Sequence, residues 1–300
     1  MTSTTVFVTI PNPTFLAFDT SNNLYCSNYY STISEITPDE SVTTFVSGLN
    51  YSQGLAFDTS GNLYCANNGD NTIVKITPDG SSVSTFASGL NNPNGLAFDS
   101  NGNLYCANST SNNIVKITPD GSSVSSFVSS GLDYPFGLAF DTSGNLYCSN
   151  FVDSTISKIT PDGSSVSTFV SSSSGLDLPF GLAFDTNGNL YCSNSGNNTI
   201  SKITPSGLVS TFASQLDGPW GLAFNRGILY CSNYDGNNIV QIKSSNTTTI
   251  TTGAELSSFM SSDSTYGYIT TSVEINDDLV ATSPKVLTTS ANAFVTIKRI

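Results

Sequence analysis

From about residue 4 to residue 243 the chain is written in short runs of alternating apolar and polar residues, broken by Asp-, Pro-, Gly- and Asn-rich turns. Nothing in this stretch carries apolar residues at the three-and-four spacing of a helix, so the pattern predicts an all-β chain. The clearest unit is GLAFDTSGNLYCANNGDNTIVKITPDGSSVSTFASGL, from Gly54 to Leu90. It divides into four strands. Strand a, Gly-Leu-Ala-Phe, ends in an Asp-x-x-Gly-Asn hairpin whose Gly suits a left-handed position. Strand b is Leu-Tyr-Cys-Ala-Asn, and strand c, Ile-Val-Lys-Ile, follows a loop of variable sequence. A Thr-Pro-Asp-Gly turn then leads to strand d, Val-Ser-Thr-Phe.

The unit repeats. Tyr-Cys-(Ser/Ala)-Asn occurs six times, with cysteines at 26, 65, 106, 148, 192 and 231, spaced by 39, 41, 42, 44 and 39 residues. A period of ~40–45 residues holding four strands is the signature of a propeller blade. Six units predict a six-bladed β-propeller over residues 1–244, with a separate β-rich extension at 245–300. The last unit lacks a good strand d, whereas Thr5-Val6-Phe7-Val8-Thr9 fits that pattern ahead of blade 1. The N-terminal strand is therefore expected to complete blade 6 and leave no open edge.

With no His and a single Trp, the Gly-His…Trp-Asp signature of WD40 blades is excluded. The run P-x-G-L-A-F-D…G-N-L-Y-C-A-N…N-T-I-x-K-I instead resembles the NHL repeat. That family's blades carry a strand-b Asp and a strand-c Arg. Here the first is Asn (Asn28, Asn67, Asn108, Asn150, Asn194, Asn233) and the second is Thr or Asn (Thr32, Thr72, Asn113, Thr155, Thr199, Asn238). A charged pair is replaced by a neutral hydrogen-bonding pair in every blade. Near-identical repeats in a Ser/Thr/Asn-rich background also resemble repeat families of giant DNA viruses, which implies a virion-associated or cytoplasmic protein.

The net charge of −13 repels phosphate backbones and anionic lipid, which argues against nucleic acid and membrane as partners. No stretch approaches the ~18 apolar residues of a membrane span, and the first residues lack the basic and apolar regions of a signal peptide. The expectation is a chain that is not secreted.

Six cysteines invite a disulfide or zinc reading, but all occupy one strand-b site where a small apolar residue belongs. Equivalent sites on packed sheets lie ~10 Å apart, too far for a disulfide, and without His or Cys-x-x-Cys no zinc site forms. Resemblance to six-bladed gluconolactonase-like enzymes implies a divalent cation held by Glu, Asn and Asp in the central channel. The glutamates are Glu35, Glu40, Glu255 and Glu274; the first two replace a strand-c Lys and a turn Gly. The recurrent aspartates read as turn residues, and no carboxylate pair stands apart from the repeat. The sequence is thus read as non-enzymatic and without cofactor or metal, a metal-dependent hydrolase being the alternative.

Function is sought where the repeats differ. The a–b and c–d turns are monotonous and share one face. The b–c loops and d–a connections share the other, and they vary toward aromatics. The loops contribute Tyr29, Tyr30, Phe151 and Tyr234; the connections contribute Tyr51, Tyr134, Phe136, Phe180 and Trp220. Aromatic clusters with polar rims mark binding sites. These nine residues are the candidate site, and Phe136, Phe180, Trp220, Phe151 and Tyr234 among them are expected to sit together over blades 4 to 6. The expected occupant is a protein or peptide, with a glycan as the alternative. Residues 245–300 are a candidate oligomerisation segment.

Overall fold

The computed structural model describes residues 2–244 and three later strands, Asn246–Thr249, Thr271–Ile275 and Thr296–Arg299. Residues Thr4–Ile242 form one compact unit; Met1–Ser3 and Lys243–Ile300 belong to a second. In the second unit the three later strands make a parallel sheet with Thr271–Ile275 at its centre. The rest of the β-rich extension expected at 245–300 lies outside the described residues.

The first unit is an all-β propeller of six four-stranded sheets. Blade 2 shows the design: Ser52–Phe57, Leu63–Asn67, Thr72–Ile76 and Val83–Ala87 pair in sequence order, each antiparallel to the next. Its a–b hairpin closes on Asp58, whose carboxylate accepts the backbone N–H groups of Ser60 (2.9 Å) and Asn62 (2.8 Å), while Gly61 takes a φ of +82°. The same turn recurs at Asp99, Asp141 and Asp185.

The tyrosine of Tyr-Cys holds adjacent blades together. Tyr64 sits edge-on between Phe86 of its own strand d (4.8 Å) and Phe98 of the next blade's strand a (5.0 Å). Tyr25, Tyr105, Tyr147 and Tyr191 do the same at their junctions. At the last junction Tyr230 meets Phe18 of blade 1 and Phe7 of the N-terminal strand. That strand, Thr2–Thr9, is the outer strand of blade 6, as expected.

Around the axis the inner strands nearly touch. A Cβ on Gly95 would lie 2.1 Å from the Phe136 carbonyl oxygen, and Gly54, Gly137, Gly181 and Gly221 are equally confined. All six cysteines are free and fully buried, each lending its thiol hydrogen to the next residue's carbonyl. Burial raises every one of these thiols, Cys26 and Cys65 to about 12. The neutral pair forms in five blades, for example Asn150 Nδ2 to Thr155 Oγ1 at 2.9 Å. Blade 2 departs from it: Asn67 donates to Asp70 at 2.7 Å, because a carboxylate in its loop outcompetes the Thr72 hydroxyl.

Candidate functional site

The residue just before the inner glycine is Gln53, Asn94, Phe136, Phe180 and Trp220 in blades 2 to 6, and Thr14 takes this place in blade 1. These six positions ring the axis, polar on one half and aromatic on the other. Phe136 and Phe180 meet at 4.2 Å; Phe180 stacks on Trp220 at 4.4 Å and 15°; Trp220 stacks on Tyr234 at 4.5 Å and 11°. Phe151 lies 5.1 Å from Phe180, and Tyr134 lies 5.9 Å from Phe136. On the other side Tyr29 reaches Tyr234 at 5.6 Å, then Tyr30 at 5.2 Å and Tyr51 at 5.3 Å.

All nine candidate aromatics therefore belong to one connected cluster. It does not stop at blades 4 to 6: closure of the ring brings blade 1 against blade 6, so the cluster continues through Tyr29 to blade 2. Its members differ in exposure. Phe136 and Phe180 are buried and fill the axis, whereas Tyr30 is 57% and Tyr51 43% exposed. Backbone bonds tie each b–c loop to the connection beside it, as in Tyr51 N to Tyr30 O at 2.7 Å and Phe151 N to Tyr134 O at 3.2 Å. Tyr51 (φ +53°) and Tyr134 (φ +50°) sit in the left-handed region, like Asn12, Asn92 and Leu178 at the same place in their blades. Such a backbone costs a non-glycine residue about 1–2 kcal/mol, and here it recurs around the rim.

The polar half is less complete. Asn94 donates to Asn92 O (3.0 Å) and Ser109 Oγ (2.9 Å), and Thr14 to Ser27 O (2.9 Å). Among the described residues two buried acceptors, Asn28 Oδ1 and Gln53 Oε1, have no partner. The first has a clear cause. In blades 2 to 5 the strand-b Asn accepts the backbone N–H of Asn50, Asn91, Asp133 or Asp177. Blade 1 has Pro11 there, which has no N–H to give.

Carboxylates surround the aromatics. The loops and connections of this face carry Asp70, Asp133, Asp153, Asp177, Asp217 and Asp235, and no Lys or Arg. Asp133 and Asp153 are a pair: burial first, then a hydrogen bond and the charge of Asp153, hold the Asp133 carboxyl above its ordinary range. This pair does stand apart from the repeat, contrary to the expectation. It lies beside Tyr134 and Phe151 in sequence, and only folding joins its two members.

The lysines lie toward the opposite face. Lys75, Lys116 and Lys158 approach Asp58, Asp99 and Asp141 at 3.7–4.0 Å and lie 5.4 Å from the centres of the Tyr64, Tyr105 and Tyr147 rings. A cleft on that face is lined by Asp19, Tyr25, Phe57 and Asp58, and its two carboxylates already have partners in their own turns. Among the described residues no group of three or more His, Cys, Asp or Glu converges as a metal site. The six axial positions hold no carboxylate at all. The donor set does not fit the divalent cation implied by gluconolactonase-like enzymes.

The sequence profile of the virginiamycin B lyase family matches residues 12–252, and the chain belongs to that family. No curated protein matches it. Among solved structures it resembles a catalytically inactive histidine-to-alanine variant of virginiamycin B lyase from Staphylococcus aureus with quinupristin. Identity there is 15% over 81% of this chain and 100% of that one, with a TM-score of 0.63. A gluconolactonase from Xanthomonas campestris is 19% identical over 81% and 89% of the two chains, at a TM-score of 0.72. An auxiliary nutrient binding protein from Bacteroides ovatus is 13% identical over 78% and 69%, at 0.70. An NHL-type blade is compatible with these propellers, but nothing among them supports the giant-virus resemblance. The expectation of a non-enzymatic chain is corrected here: the family is named for a lyase, and structures of two enzymes share the fold.

Proposed function

We propose that this member of the virginiamycin B lyase family takes a ring-bearing organic ligand at the aromatic mouth of its propeller and acts on it there. The observation that carries the reading is the single cluster of nine rings, assembled from the loops that vary while the frame is fixed. Aromatic rings bury large areas at little rotational cost and favour flat or ring-shaped partners. The buried Phe136 and Phe180 give the cluster a floor; Tyr30 and Tyr51 offer accessible surface.

Chemistry on the bound ligand has to proceed without histidine, since the chain contains none. The related structure is of a histidine variant described as inactive, so this chain cannot work in the same way. The Asp133–Asp153 pair is the group beside the aromatics suited to moving a proton. A carboxyl held above its ordinary range can give up or accept a proton nearer neutrality.

Trp220 is the only tryptophan, so its emission reports on this site alone. Titration with quinupristin is expected to change that emission, and mass spectrometry of the mixture to show a cleaved product. Trp220→Phe removes the reporter without removing a ring, so binding by calorimetry should survive it. Asp133→Asn should remove the product. If binding occurs while Trp220 emission stays constant, the mouth is not the site and the reading fails.

A further inference from the structure

Four features of the mouth share one sign. Its loops and connections carry six carboxylates and no cationic side chain. Its accessible rings are the tyrosines Tyr30 and Tyr51, packed around Tyr29. The two buried side-chain atoms without a hydrogen-bond partner among the described residues are Asn28 Oδ1 and Gln53 Oε1. Both are acceptors. Both belong to blades 1 and 2, where the exposed tyrosines are: Asn28 precedes Tyr29, and Gln53 follows Tyr51 by two residues.

Each feature has a structural explanation when taken singly; together they specify a ligand. A ring face attracts a cation through its quadrupole, and less hydrated cations most of all. Carboxylates around the mouth raise the local concentration of positive ligands. A buried acceptor left unpaired is costly, and a donor from outside removes that cost. Gln53 is only 4% exposed, so bulk water does not serve it well, whereas the Asn28 oxygen faces Pro11 and is no part of the ligand site. Lys75, Lys116, Lys158 and Lys202 cannot fill this role, because they are drawn toward their own tyrosine rings at 5.4–5.6 Å.

We propose that the mouth is specific for an organic cation, an ammonium-bearing ligand whose positive head sits against Tyr29, Tyr30 and Tyr51 and donates an N–H to Gln53 Oε1. This rests on the aromatic mouth being the ligand site, and it names the class of ligand taken there. The rings of blades 4 to 6 hold the ligand's apolar part, and the tyrosines of blades 1 and 2 hold its head.

The test compares 1-naphthylmethylammonium with 1-naphthylmethanol, which share a ring system and differ in the charged head. Calorimetry at low ionic strength is expected to give at least tenfold tighter binding of the cation, with most of that advantage lost in 0.5 M salt. Equal affinities for the two compounds overturn the cation specificity while leaving the aromatic site intact. Binding of neither, with Trp220 emission unmoved, removes the aromatic site itself.

Gln53→Met separates a ligand-facing acceptor from a structural one. The substitution keeps volume and removes the orphaned oxygen, so the melting temperature should rise while affinity for the ammonium falls at least threefold and affinity for the alcohol holds. A fall in melting temperature with unchanged selectivity shows Gln53 to be a fold residue and overturns its assignment. Tyr51→Ser supplies the second variant: it lies on an exposed rim and should cost the ammonium more affinity than the alcohol.

Discussion

The Phe7 ring lies 5.2 Å from the Tyr230 ring, edge to face at 81°, which is how the first strand of the chain meets the last blade. In the other five blades the partner of that tyrosine is the strand-d Phe of the same repeat. Phe7 takes this place from more than two hundred residues away. Val8 and Ile10 beside it are buried in the same cluster with Leu16, Leu24 and Ile239.

Phe7→Ala should therefore destabilise the whole propeller. A partly buried ring of this kind is worth about 2–3 kcal/mol, and its loss opens the closing blade as well as leaving a gap. Denaturant unfolding should show the midpoint fall in a single transition. An unchanged midpoint would mean that the ring is closed by other contacts.

The cysteines should be inert in the folded protein. At pH 8 a thiol raised to about 12, as in Cys26 and Cys65, is ionised only on the order of one part in ten thousand, and none is accessible to reagent. Labelling by a thiol reagent should follow the rate of unfolding rather than reagent concentration. Rapid modification of two or more sites in native protein is incompatible with this packing.

Acid should weaken the propeller through its turns. The Thr77 hydroxyl first, then the backbone N–H and hydroxyl of Ser81, hold Asp79 down at about 2, and Asp120 and Asp162 are held in the same way. A depressed carboxyl stabilises the fold above its ordinary value and loses that contribution as pH falls through the folded value. Melting temperature should thus decline between about pH 4 and pH 2. Asp133 is raised, so its contribution has the opposite sign and opposes the decline. The combined variant Asp79→Asn, Asp120→Asn and Asp162→Asn should flatten the acid limb. A limb as steep as before would place the acid sensitivity elsewhere.

Pro11→Ala should stabilise the protein. It returns a backbone N–H to the place from which four other blades satisfy the strand-b Asn, and so gives Asn28 Oδ1 a donor. Satisfying a buried acceptor is worth about 1–3 kcal/mol, against about 0.4–1 kcal/mol from the greater freedom of the unfolded chain. The expected net gain is on the order of 1 kcal/mol. In an Asn28→Leu background the same change should give no gain, and stabilisation that persists there would refute the hydrogen-bond explanation.

Much of the candidate site is legible before folding because the repeats serve as their own comparison. Phe136, Phe180 and Trp220 stand out at a position held by Gln53 and Asn94 in other blades, and all nine variable aromatics meet in space. The Asp133–Asp153 pair was hidden, since its members lie twenty residues apart in segments that look like ordinary turns. A comparison of loop carboxylates blade by blade would have found it. The lyase family is not legible in the sequence pattern, because the lack of His and of an isolated carboxylate pair within the repeat excludes only some chemistries.

Local order follows from the sequence alone. Alternation, the Asp-x-x-Gly-Asn and Thr-Pro-Asp-Gly turns and the repeated Tyr-Cys dictate four-stranded blades, because hairpin register depends on residues close together in the chain. The count of six and the unpaired last blade likewise predict closure by the N-terminus. What the tertiary structure decided is which blades become neighbours through that closure, and hence that Tyr29 of blade 1 meets Trp220 and Tyr234 of blade 6. It also decided which polar atoms go without partners. Pro11 is an unremarkable loop residue in the sequence, and its missing N–H matters only because folding buries Asn28 Oδ1 where four other blades supply that group. Hydrogen-bond satisfaction depends on distance and angle between segments far apart in the chain, and no local pattern carries that information.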